Sequence, residues 1–364
     1  MVNVPVKKKS QQSRAPRALA AGTKLPAAGK LQVLTAPNLA GIPWLVHGFS
    51  TRVGGFSKAY GGALNLGYTA DDTRESVERN RERFKAALGA RDWPMAWLRQ
   101  VHSDLIWPVP ASGGADGGRD ESSAQVRRKT AKPRPGAGIR GISDNRAAIG
   151  VDGGSGDADD DERAVLRPPV FYGDGLVTDH PGLLLAMRTA DCLPLLLVDR
   201  KRRAVAALHA GWRGTLRRVA EKGVGEMRRW FGSRPEDLEA AIGPGIHACC
   251  YEVGEDVREQ FCSQFAYGEE LFTEVKDTDP IHERYPLLFL VARAPGHIEP
   301  FLPVKIRLDL VEANRRQLLA AGMRARRISA SELCTACRTD LLFSHRAEKG
   351  ATGRMMAVVG IRAE

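Results

Sequence analysis

The sequence predicts an α+β, or mixed α/β, fold. Three observations support it: short apolar runs without helical period, amphipathic segments of helical period that stop at glycine, and alternation of the two along the chain. Of 364 residues, 43% are apolar and 27% charged, which is ordinary for a globular protein and unlike collagen, a coiled coil or a wholly disordered chain. Two biased segments stand apart. Residues 1–30 are rich in Lys, Arg, Ala, Pro and Gln, and about 111–168 hold 11 Gly, 10 basic and 10 acidic residues among 58. Neither can bury enough apolar surface to offset its ordering entropy, so both are expected to be disordered. About 276 residues remain, enough for one large domain with a substantial core. The predicted organisation is a basic tail over 1–30 and one domain over 31–364, interrupted at about 111–168.

Taken in order, VERNRERFKAALG places Val77, Phe84 and Leu88 on one helical face and stops at Gly89. The runs LLLAM (183–187), LPLLLV (193–198) and AVAALH (204–209) are apolar throughout and predict buried strands. TLRRVAEKGVGEMRRWFG predicts a helix starting near Thr215, with Leu216, Val219, Ala220, Met227 and Phe231 inward and Gly232 as its stop. DLVEANRRQLLAAG is a third helix ended by Gly322, and RMMAVVGI a closing strand.

The charge balance is 54 Lys plus Arg against 43 Asp plus Glu, a formal +11. Seven of the basic groups lie within residues 1–30, which hold no acid, so the rest of the chain carries only about +4. A basic tail can touch phosphate backbones without specificity, but no zinc-finger spacing or aromatic RNA-binding signature follows, so specific nucleic-acid binding is not expected. No run of 18 apolar residues and no apolar secretory leader occurs, which predicts a cytoplasmic protein without a membrane span. Six cysteines are too few for a disulfide scaffold and are candidates for core packing, metal ligation or nucleophilic chemistry.

AVAALHAGWRGTL delivers His209 at the end of a predicted strand, followed by a glycine-bracketed turn and a helix start. Strand ends of this kind hold ligands, a helix N-terminus offers N–H groups to an anion, and Arg213 suits phosphate or carboxylate. TADCLPLLLVD places Asp191 and Cys192 at the start of another strand, where a thiolate can act as nucleophile or metal ligand and a carboxylate can accept a proton. LRQVHSD adds His102. Two His and one Cys around an open position would make a catalytic zinc site, although their spacing alone does not show that they meet. Each also suits a bland role, His209 as a strand cap and Cys192 as a small core residue. Cys334 and Cys337 form a lone CxxC and Cys249 and Cys250 are adjacent; both patterns suit packing. HGFSTRVGGFS, GALNLG and FSHRAEKGATGR contribute Arg52, Asn65 and Arg346 among glycines that permit close approach of a polar or phosphorylated ligand.

The ordered blocks HGFSTRVGGFS, NLGY, VERNRERF, LRQVHSD, GDGLVTD, RTADCLPLLLVD, AALHAGWRGTL, AIGPGIHACCYEVGEDV, LDLVEANRRQL, CTACRTDLLFSHR and GRMMAVVGI resemble the YfiH family, also called the laccase-domain or multicopper polyphenol oxidase family. The resemblance covers about 41–362 except the insert. It implies a single domain of mixed β-sheets flanked by helices, and a Zn2+ site at His102, Cys192 and His209. It also implies phosphorolysis of adenosine, inosine, guanosine and methylthioadenosine, with adenosine deamination. Arg52, Asn65, Arg213 and Arg346 are then candidates for substrate or phosphate, and Asp191 for proton transfer or charge stabilisation. Two other activities belong to the same resemblance: removal of wrongly added L-Ser from a peptidoglycan precursor, and copper-dependent polyphenol oxidation. One Cys and two His do not make a multicopper set. A non-catalytic metabolite binder is the reading from outside the enzymes. His345 stands in FSHR where many relatives carry Tyr, and the long insert and basic tail are additions to the pattern.

Overall fold

The uninterrupted apolar runs form strands that are buried on both faces. The computed structural model describes residues 30–109, 150–151, 171–276 and 304–363; the expected tail and insert lie outside these residues except for Lys30 and the pair 150–151. With strands numbered in chain order, a first sheet runs β1 (Val33–Leu34), β2 (Leu45–Ser50), β15 (Met355–Ile361), β7 (Leu184–Thr189), β3 (Met95–Trp97) and β5 (Gly150–Val151). A second runs β14 (Ile328–Ala330), β10 (Leu238–Ile242), β8 (Leu193–Asp199), β9 (Ala204–Ala210), β6 (Gly175–Thr178) and β4 (Ile106–Pro108). A small third sheet joins β11 (Glu252–Val253), β13 (Val304–Leu308) and β12 (Phe272–Lys276). Parallel and antiparallel pairs mix in both large sheets, in accord with the predicted fold class.

The period-two alternation of strand side chains divides the core. On the second sheet Leu196, Val198, Val205 and Ala207 face Leu185, Met187, Ala357 and Val359 of the first. The alternate set, including Leu195, Leu197, Ala206 and Leu208, belongs instead to a core with helices α3 (Val219–Phe231), α4 (Glu255–Gln264) and α5 (Leu310–Ala320). The outer face of the first sheet, with Leu184, Ala186, Met356 and Val358, is covered by Phe84 of α1 (Arg74–Ala87). The layering is therefore helix, sheet, sheet, helix, and each central strand loses both faces to apolar neighbours. That explains why β8, β9 and β15 carry no polar alternation although their sheets are largely antiparallel.

Helix ends follow local chemistry. Thr73 caps α1 by accepting from Ser76 N, Asp309 caps α5 by accepting from Glu312 N, and α3 stops at Gly232, whose φ of 63° favours glycine. The predicted helix from Thr215 is instead two pieces, α2 (Trp212–Leu216) and α3, because Arg218 adopts a left-handed φ of 64°. The break is secured from α5: Gln317 Nε2 donates to Thr215 O (2.6 Å) and Asn314 Nδ2 to Thr215 Oγ1 (2.9 Å). Among the described residues no helix is long and apolar enough to cross a membrane.

Two of the stretches that carry the chain from the first sheet to the second are residues 98–105, between β3 and β4, and residues 190–192, between β7 and β8.

Candidate metal centre

His102 lies on the first of these passages, Cys192 on the second, and His209 at the end of β9. The register of the β8–β9 hairpin pairs Leu193 with Ala210 and Pro194 with His209, so the residue before β8 and the penultimate residue of β9 are neighbours by construction. One potential ligand atom from each of His102, Cys192 and His209 lies within 4.8 Å of the other two, and the two imidazoles meet edge-on with ring centroids 5.0 Å apart. The structure thus gathers the three residues that the sequence could only nominate.

Asp174 holds two of them, and the sequence reading did not select it. This fully buried carboxylate accepts the main-chain N–H groups of Val101 (3.3 Å), His102 (3.1 Å) and Ser103, and the Ser103 hydroxyl (2.7 Å). It also pairs with His209 Nδ1 at 2.8 Å, while its own carbonyl accepts from His209 N at 2.8 Å. With Nδ1 so engaged, Nε2 is the nitrogen left for a ligand, as is usual for metal-binding histidines. A signal for Asp174 existed in GDGLVTD: a ligating imidazole needs a partner for its second nitrogen, and a buried Asp between glycines can supply one.

The electrostatics suit a cation at these three residues. Burial would raise the Cys192 thiol, but the facing His209 charge and hydrogen bonds from His102 and His209 overcome it and bring it down to about 6. Burial would lower His209, yet the Cys192 thiolate and Asp174 raise it to about 9. Burial pushes Asp174 up, and the bonds and charge of His209 with those of Ser103 hold it below the usual carboxylate range. The two shifts favour a thiolate–imidazolium pair at Cys192 and His209, and a cation would take the place of the ring proton. The backbone bears some of the cost: His102 (φ 57°) and Asp191 (φ 102°) both occupy the left-handed side, a strain of about 1–3 kcal/mol each that the surrounding bonds must offset.

Gly211 makes the close approach possible. A Cβ there would stand 2.9 Å from Cys192 Sγ and 3.0 Å from His102 Cδ2. Gly211→Ala is expected to fold and yet displace both side chains, weakening any metal binding at the three residues. Metal content and melting temperature measured on the same sample check this, and an unaltered metal content would contradict it.

The three residues open on a cavity of about 690 Å³. Arg188 and Arg354 line it, and their side-chain hydrogen bonds among the described residues go to main-chain carbonyls: Leu98 O for Arg188, Thr352 O and Gly353 O for Arg354. Burial, then the charges of Arg81 and Arg354, lower the Arg188 guanidinium to about 10. Tyr251, His345 and Arg346 form another part of the wall, with Arg346 Nη1 donating to Glu252 O at 2.7 Å.

The other nominated residues take different places. Asp191 lines the cavity, but its carboxylate accepts from Thr335 Oγ1 (2.6 Å), Ser344 Oγ (2.7 Å) and Arg346 N (2.6 Å). Asn65 is fully buried outside the lining; its Oδ1 accepts from Arg354 N at 2.8 Å. Arg52 also lies outside it, bonded to Thr339 O and Glu348 with its guanidinium 4.5 Å from the Phe343 ring centre. Arg213 is not brought to the cavity wall either; it stacks over Trp212 at 4.2 Å. Arg213 lies within α2, which is only five residues long, too short for the anion-binding N-terminus that the sequence suggested.

The family model described as multi-copper polyphenol oxidoreductase laccase matches residues 46–132 and 154–362. The chain belongs to this family. A protein named purine nucleoside phosphorylase, from Deinococcus radiodurans, is 34% identical over 334 residues, covering 91% of this chain and 93% of that protein. A protein named adenosine deaminase RL5, from an unknown prokaryotic organism, is 36% identical over 173 residues, 48% of this chain and 56% of its own length. The crystal structure of the Bacillus licheniformis hypothetical protein YfiH superposes with a TM-score of 0.61 at 29% identity, covering 87% of this chain and 93% of that one. The resemblance to the YfiH family read from the ordered motifs is thereby borne out. The multi-copper name is not matched by the donors at this site, which number three.

Proposed function

We propose that this chain is a zinc-dependent purine nucleoside phosphorylase. It would cleave adenosine, inosine, guanosine or methylthioadenosine with phosphate to the base and ribose 1-phosphate, with adenosine deamination as a second activity. The observation that carries the reading is a single cavity with a Cys–His–His set on one wall and a cluster of guanidinium groups on another. The names of the relatives support the substrate class.

His102, Cys192 and His209 would hold the zinc: one thiolate and two imidazoles suit that borderline-soft ion, and three protein ligands are the number found in catalytic sites. When bound, zinc supplies Lewis acidity and lowers the pKa of water toward neutrality, which is the demand of hydrolytic attack at C6 of adenine. The arginine wall answers the other reaction. The charges of Arg81 and Arg354 both act against that of Arg188, and an anion in the cavity beside Arg188 and Arg354 would relieve that cost, so these two are assigned to phosphate. Phosphate oxygen forms the new bond to the anomeric carbon, the bond to the base nitrogen breaks, and the electron pair leaves with the purine, which takes up a proton. Arg346 is retained as a substrate residue. Asp191 acts by positioning Arg346 through its main-chain bond, and Asn65 by positioning Arg354. Arg52 acts on the same segment through Glu348, which accepts from Ser344 N.

Chromatography of products from zinc-replete protein and adenosine, with and without phosphate, tests the proposal. Adenine plus ribose 1-phosphate, formed only with phosphate, is the expected result, and inosine in both samples reports deamination. No product from folded, zinc-loaded protein would sink it. Arg188→Gln is expected to raise the KM for phosphate roughly 10–100-fold, the worth of a charge-assisted bond, with a smaller change for adenosine. The lowered Cys192 thiol also suits a nucleophile in amide hydrolysis, the peptidoglycan-editing alternative. A Ser-bearing muropeptide cleaved while its Ala counterpart and purine nucleosides stay intact would favour that reading.

A further inference from the structure

Four cysteines that the sequence places in two unremarkable pairs come together in the fold. Strands β10 and β14 are parallel neighbours, so the loops that follow them leave from the same end of the sheet. Their pairing continues beyond the strands: Ser331 N donates to Ile242 O at 2.8 Å, and Thr335 N to Gly245 O at 3.0 Å. The first loop carries Cys249–Cys250 and the second Cys334–Thr335–Ala336–Cys337. One Sγ from each of the four cysteines lies within 4.8 Å of the other three, with Cys337 Sγ 3.5 Å from Cys249 Sγ and 3.3 Å from Cys250 Sγ.

We propose that Cys249, Cys250, Cys334 and Cys337 form a second, structural zinc site. Four thiolates at about 2.3 Å from a tetrahedral zinc ion stand roughly 3.8 Å apart, close to the separations found. Packing cysteines do not need this arrangement: Cys249 and Cys337 are exposed, and burying small apolar groups is not what joins them. Four protein ligands close the coordination shell, which marks the site as structural and separates it from the three-ligand centre. His247 N points at Cys334 Sγ, 3.5 Å away, as a main-chain N–H does toward a ligating thiolate.

The consequence for the cavity follows from what lies between the ligands. Thr335, inside the CxxC, donates its hydroxyl to the Asp191 carboxylate, and Ile246, three residues before Cys249, donates its N–H to Asp191 O at 2.7 Å. Tyr251, next to Cys250, lines the cavity. Zinc at the four sulfurs fixes both loops that grip Asp191, the residue preceding the ligand Cys192.

The test is metal analysis with X-ray absorption on protein purified in reductant. Wild-type protein is expected to hold two zinc ions per chain. Cys192→Ala should retain one, with an all-sulfur shell at about 2.3 Å. Cys334→Ala/Cys337→Ala should lose that ion and melt at a lower temperature. If the three-ligand reading were wrong, wild type and Cys192→Ala would both hold one zinc with the all-sulfur shell, so the two readings fail separately. No all-sulfur zinc in Cys192→Ala, or four thiols that react freely without releasing metal, would overturn the second site, whether or not the double variant folds.

Discussion

His209→Ala protein is expected to lose one metal ion per chain and its turnover together, while remaining folded. The substitution leaves two ligands on two separate passages and removes the imidazole that β9 holds in place. The loss in turnover should exceed the roughly 10–100-fold typical of removing a group that only supports a ligand. Folding should survive, because Asp174 keeps its bonds to Val101, His102 and Ser103 after losing its histidine partner. A destabilisation of about 1–3 kcal/mol is expected for the broken buried pair. Metal content, thermal melting and phosphorolysis on one preparation decide the matter; a variant with full metal and full turnover would remove His209 from the site.

The second large effect is expected from Asp174→Asn. The side chain keeps its shape, but one carboxylate oxygen becomes an NH2 group that faces either the N–H groups of Val101 (3.3 Å) and Ser103, or the His102 N–H (3.1 Å) together with the His209 ring (2.8 Å). Either orientation leaves a buried donor against a donor or reverses the His209 tautomer, so Nε2 no longer presents a lone pair. Metal affinity should fall by roughly 10–100-fold. Competition with a chelator measures that shift, and partial recovery of turnover at saturating zinc distinguishes poor positioning from collapse of the fold. Ser103→Ala, which removes only the hydroxyl bond to Asp174, should cause a smaller loss of the same kind; equal affinities in all three proteins would refute the positioning role.

Legibility followed the range of the signal. Strands 193–199 and 204–210 and the helices near 77–89 and 309–322 could be read directly, because each has its own apolar period and its own stop. The two-residue strands β1, β5 and β11 have no period to read and exist through their partners. The break at Arg218 was hidden because Gln317 and Asn314, about a hundred residues away, secure it. At the site, the residue types of His102, Cys192 and His209 suggested metal, while their meeting depends on two sheet crossings. The Cys192–His209 contact was the most accessible part, since two apolar runs joined by the polar turn DRKRR already suggest a hairpin. Arginine identity misled where function depends on direction: Arg52 and Arg213 are engaged elsewhere, whereas Arg188, inside a strand, turns its charge to the cavity.

The passages at 98–105 and 190–192 also bear on the mechanics of the sandwich. The facing sheets meet largely through apolar side chains, which resist separation but have little directional preference against sliding. An ion held as proposed, by one residue from each passage and one from β9, would act as a rivet through both layers: shear of one sheet past the other would have to break coordinate bonds. A side chain such as Leu196, distant in kind from any chemistry, then sets the spacing the rivet has to span. Core substitutions there should be felt in metal retention before they are felt in melting.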